Sequence, residues 1–187
     1  MLKKIFALLL ALALLTAGGN ALAEQTLDFN GAFTITCSDK WQLDREYDAE
    51  SATETFACLG ALDTAASRME ICVYDDRANF DDFTVPDKEC ADYYAYVSQV
   101  FAVIEAREDT RDCTLVGSCR SGDGKANFVI VRVDDGDGGF YYADTMIGGC
   151  TLALYGYSSL SLVETGERQL AEIKSVIGSM TFNDTLF

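Results

Sequence analysis

The sequence predicts an α+β domain built on an antiparallel sheet. The main evidence is the run 113–158, where four segments rich in β-branched and aromatic residues are separated by three glycine-rich turns. This is the pattern of an antiparallel four-strand meander. Two segments with apolar residues at helical spacing, 84–105 and 161–178, flank this run in the chain. With further strands at the start, this order predicts an antiparallel sheet with flanking helices.

The segment 1–23 is predicted to be a secretory signal peptide. Two lysines precede the apolar run 5–15, and residues 21–23 have the small-x-small pattern of a cleavage site. The apolar run is shorter than the roughly 20 residues needed to span a hydrocarbon core. We therefore expect cleavage before Glu24, no stable membrane anchor, a secreted, periplasmic or extracellular location, and a single domain over 24–187.

The charge of this domain limits the classes of partner. Of the 14 basic residues in the chain, Lys3 and Lys4 lie in the signal peptide, so 12 basic residues remain against 30 acidic ones and the formal charge is −18. Such a surface repels nucleic acid and anionic membranes and favours cationic partners. We expect a monomer that binds an unidentified protein or small ligand, with cationic chemistry among the options, and no nucleic acid.

The opening part of the domain is predicted to form two strand pairs. Residues 26–28 and 32–37 alternate apolar with polar side chains, as a half-buried hairpin does. Residues 53–59 and 68–74 form the second pair, with Met69, Ile71 and Val73 on one face of its second strand. Trp41, between the two pairs, is expected to close one end of the core.

The first helix is expected to follow an acidic loop at 75–82. Thr84, Pro86 and Asp87 have the features of a helix start, namely a capping hydroxyl, an early proline and an acidic first turn. Apolar residues then recur at helical spacing and predict a buried stripe. The stripe consists of Tyr93 or Tyr94, Val97, Val100, Phe101 and Ile104.

The second helix is expected after the meander. Residues 161–164 resemble a capping box, and Gly178 is the expected terminator. Residues 180–182 can then add a closing edge strand. The buried stripe of this helix consists of Leu170, Ile173, Val176 and Ile177.

The order of these elements resembles that of PsbP-like domains, a superfamily that includes PsbP and DcrB-type secreted proteins. Phe33 and Ile35 with the nearby Trp41, the central helix, the long meander and the final segment 173–182 carry the resemblance, which spans most of 26–183. It implies a PsbP-like α/β/α sandwich. Because the family has no shared catalytic residues, it also implies a non-enzymatic binding or assembly role.

One face of the meander is the candidate ligand site. If the glycine pair 148–149 forms a two-residue turn, Tyr142 faces Tyr155 and Asp144 faces Ala153. Aromatic residues around one arginine and one aspartate can line a cleft, or they can lie in the core beneath a helix. The candidate ligand-binding residues are Arg132, Tyr142, Asp144, Tyr155 and Tyr157.

Other motifs give weaker functional signals. The acidic turn 134–139 lacks the glutamate of a calcium-binding EF-hand loop, because Thr145 or Met146 stands at the twelfth position. We predict a hairpin tip there, no metal site and no cofactor. The chain has no histidine to activate a serine or cysteine, so no catalytic residue is predicted. Two alternatives stay open: an extracellular calcium- or cation-binding protein, and a carboxylate-based hydrolase.

Seven cysteines in an exported chain predict disulfide bonds. Cys113 and Cys119 are six residues apart on one predicted strand, roughly 20 Å, which is too far for a bridge. Cys119 should return to the level of Cys90 after the helix and the following strand, so we predict that pair. We also predict a bridge from Cys58 to Cys72 across the second hairpin. The pairing of Cys37, Cys113 and Cys150 is left open.

Overall fold

The computed structural model describes residues 24–29, 31–39, 41–44, 54–61, 67–75, 77–80, 82–106, 112–134, 139–158 and 162–183. The predicted signal peptide and most of the acidic hairpin tip lie outside these residues.

The described residues form ten strands and three helices. The strands are β1 (Glu24–Phe29), β2 (Phe33–Ser38), β3 (Trp41–Asp44), β4 (Glu54–Ala61), β5 (Ser67–Asp75), β6 (Asp112–Arg120), β7 (Asn127–Asp134), β8 (Phe140–Ile147), β9 (Cys150–Ser158) and β10 (Met180–Phe182). The helices are α1 (Arg77–Phe80), α2 (Ala91–Glu105) and α3 (Leu162–Ser179). No helix in the described part of the chain is long and apolar enough to cross a membrane.

The strands form two antiparallel sheets. The larger has the order β3-β4-β5-β9-β8-β7-β6, and the smaller has the order β1-β2-β10. The predicted meander therefore forms four adjacent strands of the larger sheet, and both predicted hairpins are present. β10 pairs with β2, so the predicted closing strand joins the opening hairpin. The α+β class predicted from the sequence is confirmed.

The larger sheet separates two apolar cores. On one face, α3 and the small sheet pack against residues such as Ile130 and Leu154. On the other face, α2 packs against residues such as Val129 and Val131. The run of apolar residues at the start of β7 follows from this arrangement, because a strand covered on both faces needs apolar side chains at consecutive positions. The layers are those of an α/β/α sandwich.

The helix predicted to start at Thr84 starts later, because its first residues contact the sheet instead. α2 begins at Ala91. The backbone N–H of Val85 donates to the Met146 carbonyl over 2.9 Å, and the N–H of Gly148 donates to the Thr84 hydroxyl over 3.0 Å. The predicted capping hydroxyl is thus used by the β8–β9 turn. Val85 is buried, which further fixes this extended segment against the sheet.

The faces predicted for β7 are wrong by one residue. β7 pairs with β8 so that Val129 is opposite Asp144 and Val131 is opposite Tyr142, whereas the predicted site placed Arg132 of β7 on one face with Tyr142 and Asp144. A shift of one residue moves every side chain of a strand to the opposite face. The sequence of the 134–139 tip does not determine this register.

Candidate functional site

A buried aspartate lies beneath α2 at the middle of the larger sheet. Asp144 is 4% exposed and belongs to β8, which has strands on both sides. Tyr142 lies two residues earlier on the same face of that strand, and Tyr96 approaches from α2. The Tyr96 hydroxyl donates to Oδ1 of Asp144, and the Tyr142 hydroxyl donates to Oδ2. We call these three residues the Tyr–Asp–Tyr cluster.

The hydroxyl donors make this buried carboxylate tolerable. Burying a carboxylate that has no hydrogen-bond partner in the protein costs several kcal/mol of lost solvation. Here each oxygen of Asp144 accepts a hydrogen bond from a tyrosine hydroxyl. Hydrogen bonds to a charged group are stronger than those between neutral groups. The cluster therefore fixes the position of Asp144 and ties α2 to the central strand.

A cavity of about 280 Å³ lies beside the cluster, between α1, α2 and the strands β5, β8 and β9. Its walls are mostly aromatic and aliphatic, with a few polar groups. Among the described residues that line it, Asp144 is the one carboxylate. The apolar wall consists of Tyr74, Phe80, Val100, Val103 and Met146, and the polar groups come from Tyr96, Gln99, Tyr142, Asp144 and Thr151.

The cavity opens to solvent between α1 and α2. Phe80 on α1 is 39% exposed and Val103 on α2 is 67% exposed, although both line the cavity. The ring of Phe83 packs on the ring of Tyr96, with 6.0 Å between their centroids and 28° between their planes. This contact holds Tyr96 in the orientation that its hydrogen bond to Asp144 requires. The site is thus open at the mouth and fixed at the floor.

Two of the five predicted ligand residues meet in this cavity. Tyr142 and Asp144 line it, and the predicted pairs of Tyr142 with Tyr155 and Asp144 with Ala153 are both present. Arg132 does not join them, because it is opposite Tyr141 on the other face of the sheet and is exposed. The one-residue register error in β7 explains this misplacement.

The side chains of Tyr155 and Tyr157 lie outside the described residues. Their strand positions are known: Tyr155 is opposite Glu70 and Tyr157 is opposite Arg68 on β5. Both therefore remain predictions.

Tyr96, the helix residue of the cluster, was not among the site residues predicted from the sequence. A signal for it was present, because Tyr96 lies three residues after Tyr93 and four before Val100, the spacing of one helix face. Phe80 was also missed, since it lies in a segment expected to be a loop and instead forms α1. A tyrosine in a helical stripe gives no sign of which polar group it will reach across the core.

A second, more polar groove of about 250 Å³ lies between β6 and the segment before α2. Arg120 pairs there with Asp87, and both side chains are about half exposed. The side-chain amide of Asn127 donates to the Pro86 carbonyl over 2.7 Å. Exposed ion pairs contribute little. The contacts of this groove explain how the 86–90 segment is held, so they do not need a ligand.

The structure does not bring Cys90 and Cys119 together. Both are thiols. Cys119 does return to about the level of Cys90 along the sheet. The side chains of Tyr93 on α2 and Ser118 on β6, which are close to these cysteines in the chain, share a hydrogen bond. However, the next residue on a strand faces the other way, and the Cys119 thiol points to the Lys174 carbonyl of α3 at 3.9 Å. The two cysteines thus lie on opposite faces of the sheet.

The predicted partners Cys58 and Cys72 are not opposite each other. Cys58 pairs with Glu70, and Phe56 pairs with Cys72. The two cysteines therefore occupy diagonal backbone positions of the hairpin, about 7–8 Å apart, which is at or beyond the limit of about 7 Å for a disulfide. The side chain of Cys58 lies outside the described residues. The hairpin register differs by two residues from the one that this bridge assumed.

Three of the described thiols, Cys37, Cys113 and Cys119, are poor nucleophiles. Burial, with the nearby carboxylates of Glu105 and Asp112, raises the pKa of Cys113 to about 11. Burial also raises the pKa of Cys37 and Cys119 above its ordinary value. The thiolate is the reactive form, so these three side chains stay protonated and unreactive near neutral pH.

The described residues contain no group of three histidine, cysteine, aspartate or glutamate side chains that could hold a metal ion. The central part of the acidic tip, 135–138, lies outside them. The described residues therefore provide no site for the calcium-binding alternative.

The fold is that of Mog1/PsbP-like proteins, as the element order suggested. The solution structure of cyanobacterial PsbP from Synechocystis sp. PCC 6803 matches with a TM-score of 0.53 and 15% identity, over 89% of this chain and 96% of that chain. The Ran-binding protein Mog1p from Saccharomyces cerevisiae matches with a TM-score of 0.51 and 7% identity, over 89% and 98%. A Mog1 mutant matches with a TM-score of 0.50 and 7% identity, over 88% and 98%.

No protein-family model matches the sequence, and no curated protein is significantly similar to it. At these identities, the structural likeness establishes the fold.

Proposed function

We propose that this chain is an exported, non-enzymatic domain that binds a small ligand in the cavity beneath α2. The observation that carries this proposal is the composition of the cavity, whose described lining is mostly apolar and includes one carboxylate, Asp144, fixed by two tyrosine hydroxyls. Ligand pockets are typically apolar and contain a small number of placed polar groups that orient the ligand. A pocket of about 280 Å³ suits a ligand of roughly one ring.

The chemistry of the site favours binding over catalysis. A glycosidase-type hydrolase needs two carboxylates on either side of the scissile bond, whereas the described lining of this cavity supplies one. The sequence has no histidine to act as a general base, and the raised pKa values of Cys37, Cys113 and Cys119 disfavour a thiolate nucleophile. These features support a role in which the ligand is held unchanged.

Export is the second part of the proposal and is based on the sequence of residues 1–23. The basic start, the apolar run and the small residues at 21 and 23 favour cleavage before Glu24.

The yeast neighbour is described as a Ran-binding protein, which is a binding role, and this supports the same broad class of function here. Its partner is not transferred at 7% identity.

The cavity can be tested by closing its mouth. Val103→Trp adds a large side chain at a position that is 67% exposed, so it should fill the entrance without disturbing the core. Leu115→Trp is the matched control on the edge strand β6, at a position that is 39% exposed and outside the cavity.

We expect small aromatic fragments to shift the NMR signals of Tyr96, Tyr142 and Met146 in the wild type and in Leu115→Trp, and not in Val103→Trp. Fragment shifts that cluster around Arg120 instead would place the ligand site in the polar groove and contradict the proposal.

N-terminal sequencing of the protein released by the host should begin Glu-Gln-Thr-Leu; retention of residues 1–23 would contradict export.

A further inference from the structure

We propose that the cavity beneath α2 takes an uncharged aromatic compound, with one ring held inside and a hydrogen-bonding group at the mouth. This inference rests on the proposed function, since it names the ligand class and the ligand orientation for the same cavity. It follows from the size of the cavity, from the aromatic side chains in its walls and from Gln99 at its mouth.

The inner part of the cavity is suited to a ring. Tyr96, Tyr142 and Met146 line it and are all buried. Each tyrosine hydroxyl has one proton and donates it to Asp144, so neither hydroxyl is a hydrogen-bond donor for a ligand. An apolar cavity of about 150 Å³ holds benzene. The cavity beneath α2, at about 280 Å³, therefore has room for one ring and a short arm.

The walls favour an aromatic ring over a saturated one. The rings that line the cavity are those of Tyr74, Phe80, Tyr96 and Tyr142. Contacts between aromatic rings contribute about two- to tenfold in affinity beyond the area that they bury. The thioether of Met146 also lines the cavity and can add a sulfur–aromatic contact. An aromatic ligand can make both kinds of contact, whereas a saturated ring of similar size can make neither.

Gln99 is positioned to bind the polar end of such a ligand. It lines the cavity, is exposed, and lies one helical turn before Val103, which is at the mouth. Its amide both donates and accepts hydrogen bonds, so it matches a ligand group that does both, such as an amide or a hydroxyl. A carboxylate only accepts hydrogen bonds, and an ammonium group only donates them.

A charged ligand fits the described lining less well. That lining contains no lysine or arginine, and an anion would also enter beside the carboxylate of Asp144, which repels it. The mouth is partly apolar, since Phe80 and Val103 border it, and a charged group loses more solvation there than a neutral group does. An uncharged polar group avoids both penalties.

Four probes with a similar three-carbon arm separate these cases. The reference is 3-phenylpropanamide. In 3-cyclohexylpropanamide the ring is saturated, whereas 3-phenylpropanoate and 3-phenylpropylammonium keep the phenyl ring and carry a negative and a positive charge. NMR shifts at Tyr142 and Met146 of the purified protein at neutral pH report binding in the cavity. We expect the phenyl amide to bind at least about threefold more tightly than the cyclohexyl amide, although the saturated ring is the more apolar one. Both charged probes should bind at least about twofold more weakly than the phenyl amide.

A variant at the mouth tests recognition of the ring. Phe80→Leu removes one of the wall rings and keeps an apolar side chain at a position that is 39% exposed. It should weaken binding of the phenyl amide by about twofold or more and change binding of the cyclohexyl amide by less than about twofold. Phe101→Leu is the matched control, because Phe101 is on α2 and outside the cavity lining. It should change neither affinity.

A second variant tests recognition of the polar group. Gln99→Leu keeps a side chain of similar size and removes the amide, so it should weaken binding of the phenyl amide by about twofold or more. Ser98→Ala is the control, since Ser98 is the neighbouring exposed residue and does not line the cavity. It should leave the affinity unchanged.

The outcomes separate the two proposals. If the cyclohexyl amide binds as tightly as the phenyl amide and both shift the cavity signals, the aromatic inference is wrong and the cavity remains a ligand site. If either charged probe binds more tightly than the phenyl amide, or if Gln99→Leu leaves the affinity for the phenyl amide unchanged, the assignment of an uncharged group at the mouth is wrong. If none of the four probes shifts the cavity signals at millimolar concentration, the cavity is not a ligand site and both proposals are wrong.

Discussion

The Tyr–Asp–Tyr cluster is the residue-scale feature on which the site depends. β8 is buried along its whole length, and Asp144 is the charged residue within it. Its neighbours on the same face are apolar or aromatic, so a carboxylate at this position needs hydrogen-bond donors, and Tyr96 and Tyr142 both donate to it. The same two bonds prepare the floor of the cavity for a ligand.

The first prediction concerns the hydroxyl that α2 contributes to this cluster. Tyr96→Phe removes the donor to Oδ1 and keeps the ring, so it should lower the free energy of unfolding by about 1.5–3 kcal/mol, the range for hydrogen bonds to charged groups. Tyr94→Phe is the matched control, because Tyr94 is on the same helix and is 58% exposed. It should change the free energy of unfolding by less than about 0.5 kcal/mol. Urea unfolding followed by circular dichroism measures both, and equal effects would contradict the role of the cluster.

The sequence could predict one part of this cluster and not the other. Tyr142 and Asp144 share a strand, and the alternation of side chains places them on one face without any knowledge of the fold. Arg132 is on a different strand, so its placement depended on the register across the 134–139 tip, which the sequence did not determine. Tyr96 approaches from another layer, and only the packing of α2 on the sheet brings it to Asp144. Local periodicity was thus sufficient within an element and insufficient between elements.

At the scale of elements, the packing of α3 on the sheet depends on a glycine in β9. A Cβ atom at Gly156 would lie 2.7 Å from Cδ1 and 3.3 Å from Cγ1 of Ile173. Ile173 is fully buried, so its side chain has little space into which it can move. The missing side chain at 156 therefore sets how closely α3 approaches the sheet.

The second prediction tests this close approach. Gly156→Ala should lower the free energy of unfolding by about 1–3 kcal/mol, the usual cost of overpacking a core. Ile173→Val removes the closest atom, so the double variant should lose less stability than the two single variants predict together. Gly178→Ala is the control, because no atom lies within 4 Å of its Cβ position. It should be neutral or stabilise by up to about 1 kcal/mol, since alanine favours a helix over glycine. Additive effects of Gly156→Ala and Ile173→Val would show that the contact does not limit the approach of α3.

The order of elements was well predicted because each strand and helix has its own periodicity. The α2 start was wrong because Thr84, Pro86 and Asp87 fit both a helix cap and an extended segment. In the structure these residues bond to the sheet: the Thr84 hydroxyl accepts from the Gly148 N–H, and the Val85 N–H donates to the Met146 carbonyl. The structure does not bring the proposed disulfide partners together, for a related reason. The number of residues between Cys90 and Cys119 predicts the position of Cys119 along the sheet. It does not predict on which face of the sheet the Cys119 side chain lies.

At the scale of the whole molecule, the two faces of the larger sheet have different tasks. The α3 face contains residues from α3, from the small sheet and from the meander, with many side chains completely buried, among them Ile35, Ile173 and Met180. The α2 face contains the Tyr–Asp–Tyr cluster and the cavity. We infer that the first face supplies most of the stability and the second face supplies the binding site, since a cavity leaves its lining without packing partners on one side.

The third prediction compares one methionine from each face. Met180 on β10 is fully buried in the α3-side core, and Met146 on β8 is 3% exposed and lines the cavity. Both are in strands and nearly equally buried, so the substitution to alanine changes strand propensity and exposed area in the same way. Met180→Ala should lower the free energy of unfolding by about 2–5 kcal/mol, as in other close-packed cores. Met146→Ala should cost at least about 1 kcal/mol less, because one side of Met146 already faces empty space. The same Met146→Ala variant should accept larger aromatic fragments than the wild type, which NMR titration would reveal. Equal losses of stability in urea unfolding would show that the cavity is as well packed as the opposite core, and that the two faces do not divide stability and binding between them.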